Sequence, residues 1–224
     1  MSCLLYYITD RIQFLGDERA RRRALLAKVA EAAQAGVDYI QLREKDLSAR
    51  ELEILALDAL SAVRNSPPLR TEHRELRTRL LINSRTDIAL AVGADGVHLR
   101  ADDVAPPEVR QMLELSGHRP LAADHFMVAA SCHTAADVFR AESENADFAV
   151  FAPVFGKRGA AGTSPAGLAA LREACRVKIP VLALGGVTME NAASCLETGA
   201  AGVAGIRLFQ ENKIEDVVRA LQAL

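Results

Sequence analysis

The feature that most constrains the fold is one pattern that occurs four times along the chain. Each copy reads as a helix end, a turn of small residues, an apolar strand and then polar residues. The copies are "AGVDYIQLREKD" from Ala35, "VGADGVHLRADD" from Val92, "ENADFAVFAP" from Glu144 and "TGAAGVAGIR" from Thr198. Their equivalent residues, Asp38, Asp95, Asp147 and Ala201, lie 57, 52 and 54 residues apart. A strand–helix–strand unit takes roughly 30 residues, so each interval fits two strand–helix units and the chain fits eight.

Short apolar runs supply the expected strands. They are continuous rather than alternating, which is typical of parallel strands that are buried on both faces. The runs are Leu4–Ile8, Tyr39–Leu42, Leu80–Ile82, Gly96–Leu99, Val128–Ala130, Phe148–Phe151, Val181–Leu184 and Gly202–Ile206.

Helical patterns lie between these runs, and the clearest spans Ser48 to Arg64. Ser48 and Glu51 have the spacing of a capping box at its start. Two further pairs, Thr134 with Asp137 and Thr188 with Asn191, predict other helix starts. The apolar stripe of the first helix is formed by Leu52, Leu55, Ala56, Ala59, Leu60 and Val63.

Alternating strands and helices predict an α/β fold with a parallel sheet and right-handed crossovers. Eight units in 224 residues favour a single (β/α)8 TIM barrel over an open sheet. We therefore predict one domain over residues 1–224. Two stretches, Asn65–Arg79 and Ser116–Phe126, are expected to be irregular loops. Neither is a domain linker, because the repeat continues across both.

Composition excludes several classes of protein. A formal net charge of −2 and the absence of Trp argue against nucleic-acid binding. The sequence shows neither a signal peptide nor an apolar stretch of transmembrane length. The cysteines Cys3, Cys132, Cys175 and Cys195 lack metal-binding or redox spacing, which indicates reduced thiols and a cytoplasmic protein. The oligomeric state stays open, and a homo-oligomer is compatible with the sequence.

The candidate site residues follow the strands, because active sites of TIM barrels form at the carboxyl ends of the strands. They are Gln41, Arg43 and Lys45 after the second strand, Asn83 and Ser84 after the third, His98, Asp102 and Asp103 after the fourth, Ser131 and His133 after the fifth, Pro153–Pro165 after the sixth, Gly185 and Gly186 after the seventh, and Gly205, Ile206 and Arg207 after the eighth.

These residue types predict a phosphorylated small-molecule substrate. Backbone N–H groups at Gly185–Gly186 can bind an anion, and Arg43 and Arg207 can clamp oxyanions bidentately. Asp103 with Asn83 offers oxygen ligands for a hard cation, most plausibly Mg²⁺ attached to a phosphate. We therefore expect a phosphate-ester or diphosphate substrate that is bound together with metal.

Each candidate also has a structural alternative. Arg43 and Lys45 could be solvated loop charges, and His98 could be a hydrogen-bonded core histidine. Ser84, three residues before Asp87, is interpreted as a helix N-cap rather than a catalytic group. Ser131 and His133 lack a third partner for a nucleophilic triad. The double glycine could be only a tight turn.

Six segments together resemble a known family. They are "YYITD", "IQLREKD", "LLINSRTDIALAVGADGVHL", "SCHT", "PVF" and "IPVLALGGVTMENAASCLETGAAGVAG". In this order they look like thiamine phosphate synthase and its paralogue, the thiazole tautomerase, from about Tyr6 to Phe209.

The resemblance implies a TIM-barrel transferase of thiamine biosynthesis that uses Mg²⁺. It would couple hydroxymethylpyrimidine diphosphate to the nitrogen of thiazole phosphate in a dissociative reaction that releases pyrophosphate. It implies pyrimidine and diphosphate contacts by Gln41, Arg43 and Lys45, with Arg43 and Lys45 as the catalytic pair. Asn83 matches a diphosphate contact, Asp103 a magnesium ligand and Gly186 the thiazole phosphate site. We add His98, Ser131 and Arg207 as substrate-binding candidates from their positions at strand ends.

The sequence departs from the family pattern in four places. Ser84 stands where the family has an Asp that binds magnesium, and Arg207 stands where it has a serine. A Thr-x-Thr-Lys run that grips phosphate is replaced by "GKRGAAGTSP", in which Lys157, Arg158, Thr163 and Ser164 are out of register. The histidine of the tautomerase is absent, since Ala152–Pro153 occupies its place. Three hypotheses therefore remain: a synthase, a tautomerase-like paralogue, and a non-catalytic barrel that binds phosphates or thiamine precursors.

Overall fold

The computed structural model describes residues 3–66, 69–71, 74–115, 125–156 and 164–224. These residues form a closed barrel of eight parallel strands, which confirms the predicted TIM barrel. All eight predicted strands are present, with boundaries that differ from the prediction by at most two residues. In chain order the barrel strands are β1 (Leu4–Ile8), β2 (Tyr39–Leu42), β5 (Arg79–Asn83), β6 (Gly96–Leu99), β7 (Met127–Cys132), β8 (Phe148–Phe151), β9 (Val181–Ala183) and β10 (Gly202–Gly205), and the remaining two are β3 (Leu69–Thr71) and β4 (Arg74–Leu76).

Each barrel strand pairs with its neighbours in chain order, and β10 pairs with β1 to close the barrel. The closing seam places Leu4 opposite Gly202 and Tyr7 opposite Gly205. Two amide hydrogen bonds of 2.9 and 3.0 Å join the Gln210 side chain to the backbone of Asp10 across the same seam. The first and last strands of the barrel are therefore direct neighbours.

Helices surround the barrel, and the predicted helix starts at Ser48 and Thr134 are confirmed. They are α1 (Glu18–Ala35), α2 (Ala49–Arg64), α3 (Thr86–Val92), α4 (Pro106–Leu115), α5 (Ala135–Ser143), α6 (Gly167–Ala174), α7 (Ala192–Leu196), α8 (Arg207–Gln210) and α9 (Ile214–Gln222), with a short 3-10 helix at Arg11–Gln13. The predicted apolar stripe of α2 is buried, and Ser48 and Glu51 form both bonds of the capping box. Thr134 and Asp137 do the same at α5.

The predicted helix start at Thr188 is wrong by one turn, because α7 begins only at Ala192. The Asn191 side chain accepts a hydrogen bond from the Thr188 N–H (2.8 Å) and donates one to the Gly186 carbonyl (3.0 Å). The Thr–Asn spacing therefore marks a turn that is closed by the Asn191 side chain, and the helix follows that turn.

The repeated aspartates have a structural role at the amino ends of the strands. The Asp38 carboxylate accepts a hydrogen bond from the Leu5 N–H, that of Asp95 from Leu80 and that of Asp147 from Val128, over 2.8, 2.7 and 2.6 Å. Each bond joins the repeat to the neighbouring strand that precedes it in the chain. In the fourth copy Ala201 has no carboxylate for this bond, and its backbone oxygen accepts from the Leu4 N–H of the next strand around the barrel, as those of Asp38 and Asp95 do from Arg79 and Met127.

The apolar side chains form two layers. The cluster inside the barrel includes Tyr6, Leu81, Phe148 and Leu182. The larger cluster lies between the sheet and the helices. Alternate residues of each strand pack into the two layers, which explains why the strands are apolar throughout.

The stretch Asn65–Arg79 differs from the predicted irregular loop, because it contains an antiparallel pairing of β3 with β4. Strands of three residues with polar sequence are too short to give a periodic signal. The other predicted loop, Ser116–Phe126, lies outside the described residues except for His125 and Phe126. In the described part of the chain we find no helix with the length and apolarity to cross a membrane.

Candidate active site

The charged residues after β2 are two acidic residues, which bind Arg11, and two basic residues, Arg43 and Lys45. Glu44 is buried, and its carboxylate accepts hydrogen bonds from the Thr9 hydroxyl (2.6 Å) and from the backbone and guanidinium of Arg11 (3.0 and 3.1 Å). Asp46 binds the same guanidinium through two bonds of 2.7 Å. Burial raises the pKa of Glu44, whereas the hydrogen bond from Arg11 lowers that of Asp46. These two acidic residues anchor the loop.

The anchored loop holds the backbone of Arg43, whose N–H donates to the Thr9 hydroxyl over 2.9 Å. Its guanidinium is half-buried and makes no ion pair or hydrogen bond with any described residue. Burial lowers the pKa of Arg43, and the nearby charges of Asp10 and Glu44 oppose that effect. A partly desolvated guanidinium with free donors is suited to an anionic ligand.

Two more residues of this strand and loop were predicted to bind substrate. Lys45 is exposed, two residues beyond Arg43. Gln41 is 1% exposed, and its amide nitrogen has no hydrogen-bond partner among the described residues. A buried donor that lacks a partner is costly. Gln41 is therefore a candidate for binding an acceptor atom of a ligand.

His98 lies in a chain of hydrogen bonds inside the barrel. Its Nδ1 is 3.1 Å from the Tyr6 hydroxyl, and its Nε2 is 2.7 Å from the Ser131 hydroxyl. Burial, together with the positive charge of Arg43, lowers the pKa of His98 to about 3. The imidazole is therefore neutral, and Ser131 is paired with His98 rather than with His133.

Asn83 and Ser84 lie at the end of β5, next to His98. The Asn83 side chain donates to the Ser84 hydroxyl over 3.1 Å, and β5 places Asn83 opposite His98. The predicted N-cap role of Ser84 is wrong, because Arg85 precedes the first residue of α3 and Asp87 pairs with Arg85. Ser84 has a φ of +62°, the left-handed region that residues other than glycine seldom adopt.

Asp103 is held within its own loop by Arg100. Its carboxylate accepts from the Arg100 backbone over 2.7 Å and lies 3.5 Å from the Arg100 guanidinium, which also pairs with Asp102 at 2.9 Å. Arg100, Asp103 and Ser131 line one cavity of about 250 Å³ beside β6 and β7. No group of three His, Cys, Asp or Glu residues in the described ranges is arranged to hold a metal ion.

Gly185 and Gly186 adopt positive φ angles of 97° and 64°. A Cβ at Gly186 would lie 2.8 Å from the carbonyl oxygen of Gly156, so this contact itself requires glycine. The N–H groups of Gly186 and Val187 make no backbone hydrogen bond to a described residue. Arg207, at the start of α8, is exposed. The geometry of the double glycine is therefore compatible with a purely structural tight turn and with anion binding.

Three features of the site could not be predicted from the sequence. They are the contacts of Arg11 with Glu44 and Asp46, the contact of Tyr6 with His98, and the pairing of Arg100 with Asp103. The first two join residues that are 33 to 92 positions apart. Among the substitutes proposed for the phosphate run, Lys157, Arg158 and Thr163 lie outside the described residues, and Ser164 is exposed.

The comparison with known families identifies the protein group. The model of the thiamine monophosphate synthase family matches residues 5–209. The chain belongs to this family. A putative thiamine-phosphate synthase 2 from Aquifex aeolicus is 38% identical over 92% of this chain and 97% of its own length. The thiamine-phosphate synthase from Syntrophomonas wolfei is 37% identical over 98% and 95%.

Solved structures agree with this family membership. A thiamine phosphate pyrophosphorylase from Pyrococcus furiosus superposes with a TM-score of 0.74 at 27% identity, over 98% of this chain and 94% of that one. A 3-hexulose-6-phosphate synthase has a TM-score of 0.64 at only 15% identity, over 100% and 99%. The second match shows the shared barrel alone.

Proposed function

We propose that this member of the thiamine monophosphate synthase family is a thiamine-phosphate synthase. It is a transferase that joins hydroxymethylpyrimidine diphosphate to thiazole phosphate and releases pyrophosphate. The observation that carries the proposal is the half-buried guanidinium of Arg43. The Arg43 backbone is held by Thr9 beside the buried Glu44, and the guanidinium makes no ion pair with a described residue, as expected of a diphosphate-binding group.

The proposed mechanism needs no protein nucleophile. The bond between the pyrimidine methylene carbon and the diphosphate oxygen breaks, and its electron pair leaves with pyrophosphate. The thiazole nitrogen then donates its lone pair to that carbon. Arg43 and Lys45 bind the departing charge, which lowers the barrier electrostatically, and Asn83 adds a polar contact. Gln41 donates to the pyrimidine ring.

The thiazole phosphate is assigned to the carboxyl ends of β9 and β10, which lie three and two strands from β2 around the barrel. Donors for a phosphate there are the exposed guanidinium of Arg207 and the N–H groups of Gly186 and Val187, which make no backbone hydrogen bond to a described residue. Loops after the seventh and eighth strands of TIM barrels frequently bind phosphate. Two bound substrates thus approach one another across the end of the barrel, where positioning supplies much of the rate enhancement.

Mg²⁺ is the proposed cofactor, and the available ligands fit a weakly held ion. Asp103 has one carboxylate oxygen whose only polar contact among the described residues is the long one to Arg100, and the Asn83 amide oxygen accepts no hydrogen bond from a described residue. Magnesium commonly takes one or two carboxylates and completes its shell with phosphate and water. When bound, it would neutralise charge on the diphosphate.

Ser84→Asp is expected to lower the Mg²⁺ concentration for half-maximal activity about tenfold, because it adds a second carboxylate. Asp tolerates the positive φ of residue 84 better than most residues. The measurement is a magnesium titration of initial rates. Ser84→Asn is the matched control, with the same shape and no charge. An equal shift in both variants, or none in the Asp variant, would contradict a metal site here.

The assay for the proposed function combines purified protein, both substrates and Mg²⁺, and detects thiamine phosphate after oxidation to its fluorescent product. We expect product that depends on Arg43. Arg176→Ala is the control, because Arg176 is an exposed arginine that pairs only with Glu173 in the described structure. Absence of product beside an active synthase would favour the tautomerase-like paralogue or a binding protein, and thiazole isomerisation would then be assayed.

We also propose that the enzyme acts in the cytoplasm on phosphorylated small molecules rather than on nucleic acid. All four cysteines are free thiols, as expected in a reducing compartment. The cationic groups assigned to ligand binding are few and lie at one end of the barrel, which suits a compact anion better than a polymer.

A further inference from the structure

The Tyr6–His98–Ser131 hydrogen-bond chain joins residues of β1, β6 and β7 and ends near the carboxyl end of β7, at the end of the barrel where the proposed site lies. Tyr6 is fully buried and His98 is 3% exposed, whereas Ser131 is half-buried and lines the cavity beside β6 and β7. The aromatic rings of Tyr39 and Phe148 pack against Tyr6 with centroid distances of 5.9 and 5.5 Å. A polar relay therefore runs from the apolar barrel interior to the site.

The surroundings of Tyr6 decide the direction of its hydrogen bond. A buried phenol that keeps its proton must place that hydrogen on an acceptor, and burial raises the pKa of Tyr6 well above its usual value. Among the described residues, His98 Nδ1 is the partner that the structure gives the Tyr6 hydroxyl. Nδ1 of His98 is therefore the acceptor, at 3.1 Å.

The direction of the hydrogen bond at Tyr6 determines the direction of the hydrogen bond between His98 and Ser131. A neutral imidazole has one N–H, so when Nδ1 accepts, Nε2 carries the hydrogen. Nε2 then donates to the Ser131 oxygen over 2.7 Å. Ser131 keeps its own hydrogen, and that hydrogen has no acceptor among the described residues. The hydroxyl therefore faces the site as a donor.

We propose that Tyr6 is a positioning residue that fixes His98 as the Nε2–H tautomer, so that Ser131 presents a hydrogen-bond donor to the bound pyrimidine diphosphate. The proposal rests on the proposed function for the identity of the ligand. Its proton arrangement is a property of the free protein, so it can be tested whether or not the protein makes thiamine phosphate.

The first test is nitrogen-15 NMR of the histidine rings in the full-length protein. We expect His98 to show a protonated Nε2 and an unprotonated, hydrogen-bonded Nδ1 at neutral pH. In Tyr6→Phe the Nδ1 resonance should move to the position of a nitrogen without a hydrogen bond. Observation of an Nδ1–H tautomer in the unmodified protein would overturn the proposal, as would an unchanged Nδ1 resonance in Tyr6→Phe.

Tyr7→Phe is the matched control. Tyr7 is as buried as Tyr6, and its hydroxyl has no hydrogen-bond partner among the described residues. It should leave both the His98 resonances and the kinetics unchanged. If Tyr7→Phe moved the His98 resonances as far as Tyr6→Phe does, the change would reflect packing in β1, and the assigned hydrogen bond would be wrong.

The second test is a double-mutant cycle on kcat/KM. We expect Tyr6→Phe to lower kcat/KM about tenfold, near the upper end of the effect of one neutral hydrogen bond. Combining it with Ser131→Ala should give little loss beyond that of Ser131→Ala alone, since Tyr6 acts through Ser131. Additive losses would overturn the proposal. If no variant has activity but the tautomer is as expected, the proposed function fails and the relay stands.

Discussion

Arg43→Ala is expected to lower kcat/KM for the pyrimidine diphosphate by about 100-fold or more, as found when one preorganised donor to a developing anion is removed. The guanidinium has already lost part of its solvation and has no ion pair in the described protein. Its removal should therefore leave the free energy of unfolding unchanged or slightly higher. Steady-state kinetics, calorimetric titration with the diphosphate and urea denaturation measure these quantities.

Arg43→Lys and Lys45→Ala refine this prediction. Lysine keeps the charge but lacks the planar fork that binds two phosphate oxygens at once, so we expect Arg43→Lys to recover only part of the affinity. Lys45→Ala should weaken diphosphate binding without unfolding the protein. Unchanged binding in both alanine variants would show that the diphosphate does not bind at the end of β2.

Gly202→Ala is expected to prevent the barrel from closing. An added Cβ would overlap the carbonyl oxygen of Leu4 and lie 2.6 Å from its carbonyl carbon, within the β1–β10 seam. Because these are backbone atoms of a paired strand, a change of side-chain rotamer cannot relieve the clash. We expect a loss of more than about 4 kcal/mol, a size that only a few mechanisms produce, or no folded protein.

Circular dichroism and urea denaturation test the seam, with Gly156→Ala as the control. An added Cβ at Gly156 meets no atom of a described residue within 4 Å, and this residue does not have a positive φ. Its unfolding free energy should change by no more than about 0.5 kcal/mol. A Gly202→Ala variant as stable as Gly156→Ala would mean that the two strands can separate without cost.

The barrel was predictable because its strands carry a local signal. A strand that is buried on both faces must be continuously apolar, and each run is followed by a turn and a helical stripe. The apolar stripe of α2 and its Ser48–Glu51 capping box were equally predictable, since both depend on residue spacing within one helix. The β3–β4 pairing and the late start of α7 were not, because both involve short polar segments that carry no periodic signal.

The placement of Arg43, His98 and Ser131 toward the carboxyl ends of their strands was predictable, but their hydrogen-bond partners were not. Their hydrogen-bond partners are set by the closing of the barrel, which brings Tyr6 to His98 from 92 residues away. Likewise, the acidic residues beside Arg43 proved to be partners of Arg11. Sequence spacing contains no information about such contacts.

The seam between β1 and β10 has a consequence for biosynthesis. Leu4 leaves the ribosome early, but its partner Gly202 follows nearly the whole chain later. At 5–20 residues per second, the open edge of β1 waits about ten to forty seconds for its last neighbour. During that interval an unpaired strand edge can pair with another nascent chain. Productive folding therefore depends on events that precede barrel closure, and slower translation of the C-terminal quarter should increase aggregation.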